Sequence, residues 1–145
     1  MCIIVDNNVI ATVLFDCADK AFGPIRKRLF NGRRILRLAY GGRLLEEYKN
    51  SQAVIRVLSQ LDRSARMIRA NDNAVNIEET IVLDLGICVS NDPHIVALAR
   101  VTNVRVLVSK DKDLQKDFKN LKLLNPKGKI YKRPAHSALL KSCTI

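Results

Sequence analysis

Short apolar runs alternate with longer amphipathic stretches from one end of this chain to the other. The opening run Cys2–Val5 reads as a strand that breaks off at Asp6-Asn7-Asn8, and residues 9–15 read as a helix. A strand giving way to a helix across a polar corner is the first half of a βα unit. Residues 21–30 continue as a second helix with Pro24 near its start, and Asn31-Gly32 marks a turn. A short strand is expected over 35–39, a break at Gly41-Gly42, and a helix over 44–48 that carries Glu46 and Glu47. Ser51 caps a further helix whose apolar stripe is Val54, Ile55, Val57, Leu58 and Leu61. Met67–Arg69 reads as a thinly apolar strand and residues 73–85 as a helix.

The strongest signal lies over residues 90–118. Asp92-Pro93 opens a helix, with a carboxylate at the N-cap and proline at the first helical position, where its missing N–H costs nothing. Ile95, Val96, Leu98, Ala99 and Val101 make that helix apolar on most of its surface. The β-branched run 104–108 is a buried strand, with Ser109, Asp111 and Asp113 after it and a new helix through Leu114 and Phe118. Residues 121–124 are expected to form a last strand, 125–128 a turn, 129–132 an extended segment and 135–141 a short closing helix. Strands separated by helices predict an α/β fold: a three-layer α/β/α sandwich on a central, mostly parallel sheet, in one domain over 1–145.

Composition narrows the choice of partners. A chain of 145 residues, 48% of them hydrophobic, can bury a proper core, which argues against disorder. A net charge of +11 and a pI near 9.9 favour a polyanion. Cys2, Cys17, Cys88 and Cys143 lie far apart without a CxxC pair, so reduced, mostly buried thiols are expected and a zinc box is not. An acid at position 6 comes too early for a signal peptide, and no apolar run approaches the ~20 residues of a membrane span. A cytoplasmic protein with no membrane association is the expectation.

Acids stand where chemistry would need them. Asp6 ends the first strand, Asp92 starts a helix, and Asp111 follows the strand over 104–108, with Asp113 two residues on. Glu46 or Glu47 follows the double glycine. A parallel sheet sets all its strand C-termini on one edge, where α/β folds bind ligands, so Asp6 and Asp111 approach each other if their strands are neighbours. Crowded carboxylates repel, and one takes up a proton unless a hard dication such as Mg²⁺ or Mn²⁺ joins them. Such an ion can hold a phosphodiester and stabilise its in-line displacement. Each acid alone also has a plain structural reading: Asp6, Asp92 and Asp111 as helix caps, Glu46 and Glu47 as solvated charges.

These motifs resemble the PIN-domain nucleases, the family of the VapC-type toxins, over nearly the whole chain. IIVDNNV is similar to that family's first strand with its acid at Asp6 and an asparagine at Asn8. GGRLLEEY resembles the glutamate-bearing helix, where the acid precedes a large apolar residue, which selects Glu47. NDPHIVALA resembles the D-x-x-I-x-A-x-A helix, making Asp92 the third acid. VRVLVSKDKDL resembles the strand ending in S/T-x-D, making Asp111 the fourth and Ser109 its hydroxyl neighbour, with Asp113 an alternative. The resemblance implies a PIN-like fold and a Mg²⁺- or Mn²⁺-dependent endoribonuclease, often the toxin half of a toxin–antitoxin pair. By the same likeness Asp6, Asp92 and Asp111 bind the metal, Glu47 binds or orients a water, and Asn8 and Ser109 hold carboxylates or phosphate. Cleavage would leave a 5′-phosphate and a 3′-hydroxyl.

The positive charge is segregated. No acid lies between Asp19 and Glu46, a stretch that holds Arg26, Lys27, Arg28, Arg33 and Arg34, and none follows Asp117. Arg26, Lys27, Arg28, Arg33 and Arg34 are the candidates for RNA contact. With few aromatics, recognition by shape and backbone is expected, on a flexible loop or a tRNA-like structured RNA. His94 reads as a surface or helix-start histidine. A cognate antitoxin and a homodimer complete the expected partners. Two rivals stand beside the nuclease: a non-catalytic, basic RNA-binding or scaffold module on the same fold, and a signalling receiver domain. The receiver is disfavoured because two asparagines, not an acidic pair, follow the first strand.

Overall fold

A computed structural model of the protein describes residues 2–31 and 35–141. Its sheet has five parallel strands: β1 (Cys2–Val5), β2 (Arg37–Tyr40), β3 (Met67–Arg69), β4 (Val106–Val108) and β5 (Lys129–Ile130), side by side in the order β3-β2-β1-β4-β5. Between them run α1 (Asn7–Phe15), α2 (Gly23–Phe30), α3 (Arg43–Tyr48), α4 (Gln52–Arg63), α5 (Asp72–Asp84), α6 (Pro93–Thr102) and α7 (Lys112–Phe118). Two 3-10 segments, Lys20–Phe22 and Pro134–Lys141, fill the remaining connections.

The chain builds outward from β1 through β2 to β3, then crosses back to the far side of β1 for β4 and β5. Crossovers between parallel strands are right-handed, so reversing the direction of travel moves the helices to the opposite face. Accordingly α1 packs with α2 and α4, while α5 packs on α6. The result is the expected three-layer sandwich, with the sheet parallel throughout. Because its order reverses between β1 and β4, a crevice opens at their carboxyl ends. β1 is buried along its whole length, and the register pairs Ile4 with Leu107 and Val5 with Val108. The next amide continues the ladder, Asp6 N donating to Val108 O at 2.9 Å. Asp6 and the segment after β4 are thus held on either side of the crevice by backbone hydrogen bonds.

Helix α6 is buried at every residue from Pro93 to Ala99, since it is covered by α5 on one side and by the sheet on the other. That explains why its sequence is apolar nearly all round. Helix α3 is placed differently. Gly42 adopts φ +58°, and a Cβ there would come within 2.7 Å of Val75 Cγ1 on α5. Its N–H donates to Asp72 Oδ1 at 2.8 Å. Glycine is required on both counts, conformation and space, for the chain to leave β2 and enter α3.

The end of the chain departs from expectation. Residues 121–124 form turns instead of a strand. Asn120 organises them, its carbonyl accepting the N–H of Leu123 at 3.0 Å and of Leu124 at 2.9 Å. Its side chain accepts the Lys122 N–H at 3.0 Å. Leu123 and Leu124 are buried as plugs, and the edge of the sheet passes to β5, where Lys129 N donates to Arg105 O at 2.8 Å. The closing helix is a 3-10 segment. Cys17 and Cys88 are free thiols, but Cys2 is disulfide-bonded, which corrects the expectation of reduced cysteines at that position. Among the described residues no helix is long and apolar enough to cross a membrane.

Gly42→Ala is expected to lower unfolding free energy by about 2–4 kcal/mol, the cost of a strained backbone plus displacement of Val75. Urea denaturation of the variant beside the parent protein measures it.

Candidate active site

Four acids from four elements lie near enough for their charges to act on one another's neighbourhood, Asp6, Glu47 and Asp111 all acting on Asp92. Asp6 follows β1 at the N-cap position of α1, only 4% exposed, yet its side chain makes no capping hydrogen bond. Instead its Oδ2 accepts the Ser109 hydroxyl at 2.7 Å. Asp92 occupies the N-cap position of α6 and also leaves the cap bond unmade. Two carboxylates placed at caps and not used as caps do not fit the plain structural reading of either. Asp111 does fit it: its Oδ1 accepts from the N–H groups of Asp113 and Leu114 at 2.9 and 3.2 Å, capping α7. The second oxygen of Asp111 takes no part in that cap.

The segment after β4 is tied together closely. Ser109 bonds Asp6 through its hydroxyl, and that same oxygen accepts the Asp111 N–H at 3.1 Å. Gln115, buried on α7, donates from Nε2 to Ser109 O at 2.6 Å. Ser109 therefore links the acid of one strand to the acid of the next. Asp117 fixes the approach to α6, accepting from the N–H groups of Val89 and Ser90, each at 2.9 Å, and from the Ser90 hydroxyl at 2.6 Å.

On α3 the two glutamates point in different directions. Leu44, Leu45 and Tyr48 face the core. Glu46 points to solvent and pairs with Lys49 at 3.1 Å. Glu47 turns inward, where its Oε1 lies 2.5 Å from His94 Nε2. The other imidazole nitrogen, Nδ1, is buried without a hydrogen-bond partner. Tyr48, fully buried, donates its hydroxyl to Val5 O at the end of β1 and so holds α3 against the strand that carries Asp6.

The acids sense one another. Burial raises the carboxyl pKa of Asp92 above its ordinary value, and the charge of Asp6 adds to the shift. Glu47 and Asp111 push in the same direction, while His94 opposes them. Glu47 is likewise raised, by burial first and then by Asp6, with Arg43 opposing. Burial, reinforced by Asp6 and Glu47, lifts the Tyr48 hydroxyl well above its usual range. His94 is lowered, burial outweighing the pull of Asp92 and Glu79, which keeps the imidazole neutral at pH 7. The convergence of Asp6, Glu47, Asp92 and Asp111 on one field is the pattern that crowded carboxylates produce without a counter-ion.

Their donor set suits a hard divalent cation: carboxylate oxygens, with no thiolate among them. Among the described residues, no group of three His, Cys, Asp or Glu side chains is gathered closely enough to hold a metal ion as it stands. The acids feel each other's charge without being drawn into a finished ligand sphere.

Other expected residues fall at varied distances from this cluster. Asn8 is exposed in the first turn of α1, and Asp113 is exposed on α7. Arg26 is engaged in structure: its Nε donates to Val13 O at 3.0 Å and its Nη2 to Asp16 O at 2.6 Å, closing the C-terminus of α1. Arg28 donates to Ser137 O at 3.3 Å, and Lys27 is exposed. Arg33 and Arg34 lie outside the described residues.

His94 is the clearest omission from the sequence reading. It is 2% exposed, not on the surface, because a helix buried all round takes its second residue inside with it. Arg43 was also unmarked as a site residue. It pairs with the buried Glu79 of α5 at 2.7 Å and tempers Glu47 from the first position of α3. No local pattern announces either contact, since both join residues distant in sequence.

No protein-family model matches the chain, and no curated protein matches it. Among solved structures, the fold is similar to one described as VapBC2 from Rickettsia felis bound to a DNA fragment from their promoter. The identity is 16%, the match covers 80% of this chain and 92% of that one, and the TM-score is 0.47. A likeness that remote carries no functional weight.

A carboxyl with a raised native pKa binds its proton more tightly in the folded than in the unfolded chain. Stability is then lost as pH rises from the ordinary carboxylate value through the native one, and the penalty persists at neutral pH. Asp92→Asn is therefore expected to melt higher than the parent at pH 7 in chelator, by about 1–3 °C, with the gain vanishing near pH 3. Differential scanning calorimetry at the two pH values checks the sign.

Proposed function

We propose that this protein is a metal-dependent endoribonuclease acting through the carboxylates at the β1–β4 crevice. The observation that carries the reading is that burial, with the charge of Asp6 added to it, raises the carboxyl pKa of both Glu47 and Asp92, while Asp6 and Asp92 occupy cap positions without capping. Mg²⁺ or Mn²⁺ bound there would supply Lewis acidity and a nucleophile at neutral pH for in-line displacement at phosphorus. Asp6 and Asp92 would hold it directly, and Asp111 directly or through water by its oxygen not used in the cap. Ser109 holds Asp6 by one oxygen, Oδ2, and the other is not used in that bond. Glu47, with a raised pKa, is suited to orient a water or exchange its proton. Neutral His94 beside it supports the carboxyl without adding a charge.

RNA as substrate is supported by the net charge of +11 and by the acid-free basic stretches. Lys27 is exposed and free for phosphate contact, with Arg28 beside it and Arg33 and Arg34 further along the sequence. A role as the toxin of a type II toxin–antitoxin pair, in the cytoplasm, follows from the motif resemblance. An acidic antitoxin would suit the same basic surface. A homodimer is supported by an exposed apolar line on α5, where Ile77, Ile81 and Leu85 recur every four residues.

A second reading has one observation in its favour, the absence of a ready-made ligand set among the described residues. On that reading the protein binds RNA through its basic surface and does not cut it.

Incubation with total RNA separates the two. The nuclease reading expects fragments with 5′-phosphate ends in Mn²⁺ or Mg²⁺ and none in EDTA. Asp6→Asn and Asp92→Asn are expected to reduce cleavage by more than about 100-fold while RNA binding persists, and Ser109→Ala by about 10–100-fold, as for a residue that orients a ligand. RNA binding without cleavage in either metal selects the second reading. In a host cell, growth arrest by the parent and its relief by Asp6→Asn would support the toxin role.

A further inference from the structure

Beside the carboxylates, on the far side of Ser109, lies a second concavity of about 280 Å³. It is shallow: Ala21 is part-exposed on its floor above the buried rings of Phe22 and Tyr131, and three exposed lysines, Lys110, Lys112 and Lys132, form its rim. Its floor is rigid. The Tyr131 hydroxyl donates to Ala21 O at 2.8 Å, which ties the segment after β5 to the 3-10 turn Lys20–Phe22, and the rings of Phe22 and Tyr131 lie 6.5 Å apart. The one acid on the wall, Asp19, is already occupied in capping, its Oδ1 accepting the Ala21 N–H at 2.9 Å. Gln115 and Ser109 form the wall shared with the acid cluster, and the Ser109 hydroxyl on that wall is the one bonded to Asp6.

This arrangement differs from the other basic concavities, beside Arg26 and Lys27 and beside Arg100, Arg105 and Lys122, in one way: it touches the proposed catalytic groups through a shared residue, Ser109. A flat apolar body with an anion at its edge matches both halves: the body rests on the floor while the anion meets the lysines. A nucleotide has that form. The opening is near the lower end of small-ligand sites, roughly 300 Å³, which suits one residue of a chain and not a paired stack. A base held within a duplex cannot enter, because A-form RNA presents its bases stacked and edge-on.

We propose that this pocket is the subsite for one unpaired nucleotide of RNA, the residue adjoining the phosphate presented to Asp6 and Asp92. The proposal rests on the nuclease reading for its position relative to the cut, and it specifies the substrate class as single-stranded or looped RNA. Lys110 and Lys112, on the segment leading from β4 into α7, hold the phosphates on the crevice side. Lys132 closes the opposite rim. Ser109 sets the spacing between the seated base and the carboxylates.

The test uses the full-length protein and a short unstructured oligoribonucleotide, alone, annealed to its complement, and with an abasic residue at each position in turn. Binding is read by fluorescence anisotropy in EDTA and cleavage in Mn²⁺. Two variants probe the pocket: Ala21→Leu, which fills the floor, and Lys132→Ala, an exposed change that leaves its backbone bonds intact. Thermal melting confirms that each folds. The expected results are at least tenfold weaker binding of the annealed strand, loss of roughly tenfold at one abasic position only, and a similar loss in Ala21→Leu. Removing Lys132 should lower the slope of log K against log salt by about 0.7, one phosphate contact on a single strand. If the parent cuts RNA but duplex, abasic and variant substrates all behave alike, the pocket assignment is overturned and the nuclease reading stands. If pocket-dependent binding is present in EDTA but no metal elicits cleavage, the nuclease reading fails and the pocket remains as an RNA site. Cleavage of duplex at the rate of single strand also overturns the assignment.

Discussion

The structure depends on one electrostatic tension: carboxylates from separate parts of the chain are held near the open edge of a parallel sheet, where burial and the charge of Asp6 raise the proton affinity of Glu47 and Asp92. The fold imposes this. β1 sits in the centre of the sheet, the strand order reverses beside it, and the backbone bond from Asp6 to Val108 fixes the first acid against the strand that leads to Asp111. Ser109 then ties the two sides by a hydroxyl that donates to Asp6 and accepts from the Asp111 amide. Such an arrangement costs stability, and a positive group entering it would relieve that cost.

The supporting parts are less conspicuous than the acids. Gly42 permits α3 to approach α5, and Tyr48 anchors α3 to the end of β1, with the consequence that Glu47 faces inward while Glu46 does not. Asp117 holds the loop before α6 by accepting two backbone amides and a serine hydroxyl, which positions Asp92 from behind. His94 occupies the space between Glu47 and α6 as a neutral ring. These residues position the site and are committed to contacts within the protein. The lysines around the neighbouring concavity are not so committed, and they supply the complementary charge that a polyanion would meet.

Much of this was legible from residue order. The abrupt end of Cys2–Val5 at Asp6, the Asp92-Pro93 start and the β-branched run before Ser109 each obey a local rule, and the structure follows them. The double glycine announced the entry to α3, although its reason, the close approach of Val75, is a tertiary fact. What could not be read was long-range. An apolar pattern at 121–124 looked like a strand because periodicity does not reveal that Asn120 curls the chain back on itself. His94 looked superficial because a helix start is usually solvated, and only the packing of α6 between α5 and the sheet places it inside. Arg26 looked like a nucleic-acid contact because charge pattern does not disclose that its guanidinium closes the end of α1. Among the acids, the distinction between capping and not capping also required coordinates.

The claim on which the rest stands is that the crevice takes a divalent cation through Asp6 and its neighbours. Titration of the chelator-treated protein with Mn²⁺, followed by the loss of the free-ion electron paramagnetic resonance signal, addresses it without recourse to any substrate. The account predicts saturable uptake by the parent protein, accompanied by proton release to a weak buffer, and little uptake by Asp6→Asn. Equal uptake by parent and variant, or none by the parent at millimolar Mn²⁺, would contradict it.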